Sequence, residues 1–361
     1  MPRSRRKSWP GPPPPCCGSG WGRRCDSARA PRQPRAARPR PRRRRPGRGR
    51  RRRPAAPCRL LAGPRGVGKA TLAYRFARWL LAERPAGVAE EAPLYLPPAH
   101  PVFRRIAAGG HADLRALAPN AGERGVKLMI RVDEVRQVPR FLGLTAAEGG
   151  WRIVIVEQVE AMNAEAQNAL LKTLEEPPAR ALLLLTTAAP DRLLPTIRSR
   201  CRRVDLFPLP PPEMEALLAG WLPDLAPEQR AVLARIAGGA PGRALQLAEG
   251  DGLLLHKSVE NFLATLPHPD PRALHALADT LAAKRDGSAY VTFMELLRTS
   301  LGEAIRAAGR GQPAPAWIAT RPLAQWATLW DTLGRLADET ETLNLDRKQA
   351  VLSGLSQLAS R

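Results

Sequence analysis

The chain has 361 residues and a mass of 39.4 kDa, more than one ordinary core holds and enough for two or three domains of about 100 to 150 residues. Its 44% apolar and 25% charged residues are those of a globular protein, and it has no apolar run of the roughly 18 residues that would span a bilayer. The formal charge of +24 points towards a nucleic-acid binder, but residues 1–57 hold 20 of the 57 Lys and Arg and one of the 33 Asp and Glu, so they carry +19 and the other 304 residues only +5.

That first stretch also holds 13 of the 38 prolines and almost no aliphatic side chains. It cannot bury enough surface to offset the entropy of ordering, and disorder is expected over 1–57. Three of the five cysteines, Cys16, Cys17 and Cys25, fall there. They build neither a disulfide framework nor a C-x-x-C pair. No apolar segment follows the basic N-terminus, so no secretory signal is expected and a reducing cytoplasm is the expected compartment.

From Cys58 onward short aliphatic runs alternate with helical spacing, the pattern of a parallel sheet wound with helices. The runs are RLLA at 59–62, KLMIRV at 127–132, RIVIV at 152–156, ALLLLTT at 181–187 and RVDLF at 203–207. Apolar spacing predicts a helix from Thr71 that stops before Pro85, and a second from about Ala164 to Glu176 with Asn163 as N-cap and Pro177 and Pro178 as the stop. These pieces make one α/β domain over 58–209. Beyond the Pro208–Pro212 cluster, PEMEALLAGWL, PEQRAVLARIAGGA and GRALQLAEG read as three short helices, a small helical domain over 210–250. Long amphipathic stretches make 251–361 a third, all-helical domain, in which Trp317, Trp326 and Trp330 read as core or subunit-interface anchors.

The first run leads directly into Gly63-Pro64-Arg65-Gly66-Val67-Gly68-Lys69-Ala70-Thr71 and a helix, the strand, glycine loop and helix that a P-loop requires. Glycines let backbone N–H groups wrap a phosphate, the helix N-terminus adds positive potential, and Lys69 reaches towards the β and γ phosphates. A full P-loop has Ser or Thr after the lysine to bind Mg²⁺. Here that position is Ala70, and Thr71 sits one residue late, turned by about 100° around the helix. The run RIVIV then delivers Glu157-Gln158 where nucleotide hydrolases of this architecture present Asp-Glu. Glu157 keeps an acid, either as a residual metal ligand or as a surface acid, whereas Gln158 cannot act as a base. Loss of a positioned base removes about 10² to 10⁴ in rate. ATP or ADP without efficient hydrolysis is the cofactor expectation.

The segments NALLKTLEEPP at 168–178 and LLLLTTAAPDRLLPTIRSRC ending at Cys201 resemble the bacterial DNA polymerase III clamp-loader family, in its δ′ branch and its γ/τ branch. The resemblance covers 58 to about 250, and the C-terminal region only in character. It implies an AAA+ fold: a P-loop α/β domain, a helical lid and an all-helical collar for oligomerisation. The motor branch carries Ser or Thr after the P-loop lysine, Asp-Glu at the second acidic motif, and a GSLRDAL segment whose arginine senses nucleotide. This chain has Ala70, Gln158 and Gly242 at those places, with Arg243 one residue late, so it is closer to δ′. PGRAL at 241–245 and HPVFRRIAAGGHADL at 100–114 resemble δ′ chains from α-proteobacteria. Many relatives carry a four-cysteine zinc module, but residues 72–156 contain no cysteine, and His100 and His111 alone cannot replace it, so no zinc is expected.

In the family, Ser199-Arg200-Cys201 presents an arginine finger to ATP bound in a neighbouring γ/τ subunit. A guanidinium suits that work because it is always charged and can bridge phosphate oxygens. The residue-level alternative is a solvated arginine among Arg198, Arg202 and Arg203. Cys201 reads as a small packed residue, since no histidine accompanies it. The resemblance thus implies a largely non-hydrolytic component of a DNA-directed DNA polymerase holoenzyme, with γ/τ and δ as partners and the sliding clamp and primed DNA reached through the complex. Two rivals are an active γ/τ-like ATPase and a basic nucleic-acid-binding protein. Family members begin with a helix leading into a PHAWLLTGPRG-like segment, where this chain has PAAPCRLLAGPRG after Arg/Pro-rich sequence. Residues 1–57 are therefore either a genuine basic extension or the product of an upstream start or a wrong frame in GC-rich DNA.

Overall fold

A computed structural model of the protein describes residues 58–83, 94–119, 129–148, 150–284 and 287–359. The stretch 1–57, expected to be disordered, lies outside these residues, as do positions 127 and 128 of the strand expected at 127–132. The described residues form two compact units: Cys58–Pro64 with Gly68–Phe207, and Arg65–Val67 with the residues from Pro208 onward.

The first unit contains β1 (Cys58–Ala62), α1 (Lys69–Leu81), α2 (Pro101–Ala107), β2 (Leu114–Leu117), α3 (Val132–Arg136), α4 (Val138–Gly143), β3 (Arg152–Val156), α5 (Ala164–Glu175), β4 (Ala181–Thr187), α6 (Pro195–Arg200) and β5 (Arg202–Asp205). The strands form one sheet in the order β2-β3-β4-β1-β5, and every neighbouring pair is parallel. Parallel neighbours need crossovers, which the intervening helices supply. β3 and β4 are buried along their whole length, the state of strands covered on both faces. Leu60, Val154, Val156, Leu183 and Leu185 enter one core with Val135, Leu142, Leu170 and Ile197. The alternate residues Leu61, Ile153, Ile155, Leu182 and Leu184 pack on Ala73, Ala77 and Leu80 of α1.

RIVIV and ALLLLTT form strands at their expected bounds, and α5 starts at Ala164, where the Asn163 Oδ1 accepts the Ala166 N–H at 2.8 Å. α1 begins two residues before Thr71, at Lys69, because Gly68 turns straight into it with φ of 100°. The strand expected at 127–132 is corrected over its described residues: Met129 makes an isolated bridge and Val132 opens α3. The Glu134 carboxylate accepts the Arg131 N–H at 3.3 Å, so local capping outweighs the β-branched run. The fifth strand is instead β2, LRAL, which lies at the sheet edge and is only partly buried. An edge strand needs no continuous apolar run, which is why its sequence is inconspicuous.

The second unit contains α7 (Pro211–Trp221), α8 (Pro227–Ile236), α9 (Pro241–Glu249), α10 (Gly252–Ala264), α11 (Pro271–Ala282), α12 (Ser288–Gly309), α13 (Leu323–Leu343) and α14 (Arg347–Ala359). One core runs from Met214 and Leu218 to Leu355 and Leu358. The Trp317 and Trp326 rings meet edge to face at 5.2 Å, and the Trp326 indole donates to the Ile318 carbonyl at 2.9 Å. Trp330 donates to the Arg298 carbonyl at 2.9 Å beneath the Arg298 guanidinium. Trp317 and Trp326 are core, and Trp330 is partly buried against it. Among the described residues, no helix is long and apolar enough to cross a membrane.

Candidate functional site

β1 lies between β4 and β5, so its C-terminal end delivers the glycine loop to the carboxyl edge of the sheet, where open α/β sheets bind ligands. Gly63 sits close enough to β5's exit that a Cβ there would lie 2.5 Å from the Leu206 carbonyl oxygen. The buried Lys69 folds back on the loop and donates from Nζ to the carbonyls of Gly63 at 2.7 Å and Pro64 at 2.6 Å. At the loop tip, which clusters with the second unit, the Gly66 carbonyl accepts the Gly242 N–H of α9 at 2.8 Å. A Cβ on Gly66, whose φ is +76°, would fall 2.5 Å from the Arg243 nitrogen, so only glycine permits that approach. Arg243 turns its guanidinium to α12, where Nη2 lies 3.8 Å from Glu295 and 3.5 Å from the Thr299 hydroxyl.

The first hydrogen bond of α1 runs from the Leu72 N–H to the Gly68 carbonyl. The amides of Lys69, Ala70 and Thr71 precede it and have no carbonyl of their own in the helix, as at any helix start. Glu157, at the end of β3, is buried. Its backbone N–H donates to Leu117 O at 2.8 Å, and its carboxylate accepts the Tyr74 hydroxyl of α1 at 3.1 Å. Gln158 is exposed, with a left-handed φ of 51°; its N–H donates to the Thr186 hydroxyl at 3.0 Å. The buried Thr186 and Thr187, which sequence reasoning did not single out, join these ends: the Thr187 carbonyl accepts the Gly63 N–H at 3.2 Å and its hydroxyl accepts the Ala189 N–H at 3.1 Å. Their signal is the pair of hydroxyls that ends an otherwise aliphatic strand.

These residues suit an anion better than a hydrolytic metal. A phosphate would meet the helix-start amides of Ala70 and Thr71 and would draw the Lys69 ammonium from the Gly63 and Pro64 carbonyls, whereas Mg²⁺ would meet Ala70, whose side chain has no oxygen, and a Glu157 carboxylate engaged by Tyr74. Among the described residues, no group of three or more His, Cys, Asp or Glu could hold a metal ion.

α6 is built differently. Its entry is held by Gln167 of α5, a buried amide that accepts the Leu194 N–H at 3.0 Å and donates to the Met162 carbonyl at 3.2 Å. Ile197 is fully buried. At the last residue, Arg200 Nη1 donates to the Thr196 carbonyl at 3.0 Å, and Nη2 is ion-paired with Glu175 Oε1 at 2.6 Å. Ser199 is exposed and its hydroxyl donates to the same Thr196 carbonyl at 3.1 Å. Cys201 is buried beside Cys58, whose thiol is pushed well up by burial and by Cys201. Buried thiols of that kind are packing groups, not nucleophiles. The flanking Arg198 and Arg203 pair with Asp191 at 3.2 Å and Asp205 at 2.7 Å. The structure thus joins Lys69 to Gly63, Glu157 to α1, and Arg200 to α5; the partners of Arg200 are not residues of the glycine loop.

A family described as "DNA polymerase III, delta subunit" matches residues 52–210. The DNA polymerase III subunit delta′ of Pseudomonas aeruginosa PAO1 is 42% identical over 197 residues, 54% of this chain and 56% of that protein. The delta′ subunit of Escherichia coli K12 is 37% identical over 252 residues, 64% of this chain and 71% of that protein. The tau subunit of Escherichia coli K12 is 32% identical over 221 residues, 57% of this chain and 32% of that protein. The matched part therefore spans little more than half of the Pseudomonas relative.

Proposed function

The chain belongs to the DNA polymerase III delta′ family, and from that premise we propose that it is the δ′ subunit of a clamp loader that places a sliding clamp on primed DNA. In this reading it works in the cytoplasm with γ/τ and δ subunits. The helices of 210–250 form a lid, and those of 251–361 form the collar that joins it to its neighbours. The likeness of PGRAL and of the 100–114 segment to α-proteobacterial chains makes that type part of the proposal.

One observation carries the mechanism: the chain lacks the metal ligand and the base of a hydrolase, at Ala70 and Gln158, yet braces Arg200 from a second helix. Gly63, Gly66, Gly68, Lys69, Ala70 and Thr71 would hold a polyphosphate, and ATP or ADP bound there would turn over poorly. Arg200 would act in trans, its fixed charge stabilising negative charge that develops on ATP in the adjacent γ/τ subunit, an effect of about 10³ to 10⁵ in arginine-finger systems. Ser199 and Cys201 shape that interface, one exposed and one packed into the core. Ala70 and Gln158 weigh against a γ/τ-like motor, and the charge of only +5 outside residues 1–57 weighs against a basic nucleic-acid binder.

The test is reconstitution. With γ/τ, δ, clamp and primed DNA, clamp loading should require this chain, and the γ/τ and δ subunits alone should load poorly. Equal loading with and without it would refute the function.

A further inference from the structure

Arg200 is the last residue of a six-residue helix, a position where a long side chain would ordinarily sample several rotamers. It does not stand alone: α5 grips α6 at both ends, through Gln167 on the Leu194 N–H and through Glu175 on the Arg200 guanidinium. We propose that Glu175 is the positioning residue of Arg200, fixing the direction of its guanidinium before a neighbouring subunit's ATP meets it. The proposal rests on the reading that Arg200 acts in trans.

Three observations support it. Glu175 is itself the last residue of α5, where the helix dipole disfavours a carboxylate, whereas the end of α6 favours the arginine. The acid is thus poorly placed for its own helix and well placed for Arg200. Arg198 and Arg203 pair with Asp191 and Asp205, seven and two residues away along the chain; Arg200 instead takes its acid from α5, on the far side of β4 in sequence, and ties its orientation to the core that anchors α5. Finally, the guanidinium has five N–H donors, and its partners Thr196 and Glu175 reach it at Nη1 and Nη2 through one oxygen each. The fork is oriented without being saturated, so phosphate oxygens can still be bridged.

The experiment uses the assembled complex of full-length chains and follows ATP hydrolysis stimulated by clamp and primed DNA, with single-turnover measurement of the site facing this chain. Glu175→Ala and Glu175→Gln should each slow that site about tenfold, the cost of misplacing a reacting group by a fraction of its length, and leave the KM for ATP unchanged. In the Arg200→Ala background, Glu175→Ala should add no further slowing, because both changes remove the same interaction. If Arg200→Ala slows the site and neither Glu175 variant does, positioning is refuted and the trans role of Arg200 stands. Equal slowing by Glu175→Ala with and without Arg200, faster hydrolysis in either variant, or failure of both to assemble would also refute positioning. No effect of Arg200→Ala would overturn both readings.

Discussion

The glycine loop leaves the C-terminal end of β1 and α6 enters the N-terminal end of β5, the parallel strand hydrogen-bonded to β1, so the two segments lie at opposite edges of the sheet. Their chemistry diverges. In the loop, Lys69 is bound to the loop's own carbonyls and Gly66 to a backbone amide, while the carboxylate at the end of β3 is occupied by Tyr74. At α6 the backbone and core contacts are equally complete, but they end in a half-exposed guanidinium held by a half-exposed acid. The proposed function draws on this difference, with a loop that binds without metal chemistry and a helix that presents a charge to a neighbour, each held by its own strand of the sheet.

The largest expected effect sharpens the loop side. The isolated chain should show no ATP turnover above background, since a missing base alone costs about 10² to 10⁴ in rate. Turnover of about one per second, within the range of ordinary enzymes, would show that the loop still works as a motor. Restoring Ala70→Ser with Gln158→Glu should not create a fast enzyme, as an arginine from a neighbour would still be absent.

On the other side, Ile197→Ala should destabilise the first unit by about 2 to 5 kcal/mol, the cost of truncating a fully buried aliphatic side chain. Chemical denaturation would measure it, and a loss within the range of surface substitutions would mean that α6 is not anchored as described. Asn163→Ala removes the cap of α5 and should cost about 1 kcal/mol; if the bracing is shared, it should also lower the protection of α6 amides from hydrogen exchange.

Arg200→Ala has the smallest total readout and the sharpest meaning. Assembly should be intact and the stimulated ATPase of the complex only partly reduced, because in the proposed complex a single ATP site would face this chain. Arg203→Ala, which removes an exposed charge paired with Asp205, should leave the rate unchanged, as exposed ion pairs contribute about 0 to 1 kcal/mol. Identical behaviour of the two variants would leave Arg200 an ordinary surface arginine.

What the amino-acid order determined by itself was local and periodic. Continuous aliphatic runs specify β3 and β4, Asn163 and the Pro177-Pro178 pair bound α5, and the missing oxygen at position 70 is visible without coordinates. What the tertiary structure decided depends on residues distant in sequence. LRAL became an edge strand, and residues 129–132 of the expected KLMIRV strand did not become one, because pairing to β3 and capping by Glu134 outweigh composition. Asp113, almost fully buried, accepts the Ala147 and Glu148 amides and lies 3.4 Å from Arg152; nothing local marks it. The same holds for Tyr74 on Glu157 and for Glu175 on Arg200. Periodicity reports which face of an element is buried, whereas the partner of a polar group is chosen by whichever element the packed sheet brings alongside it.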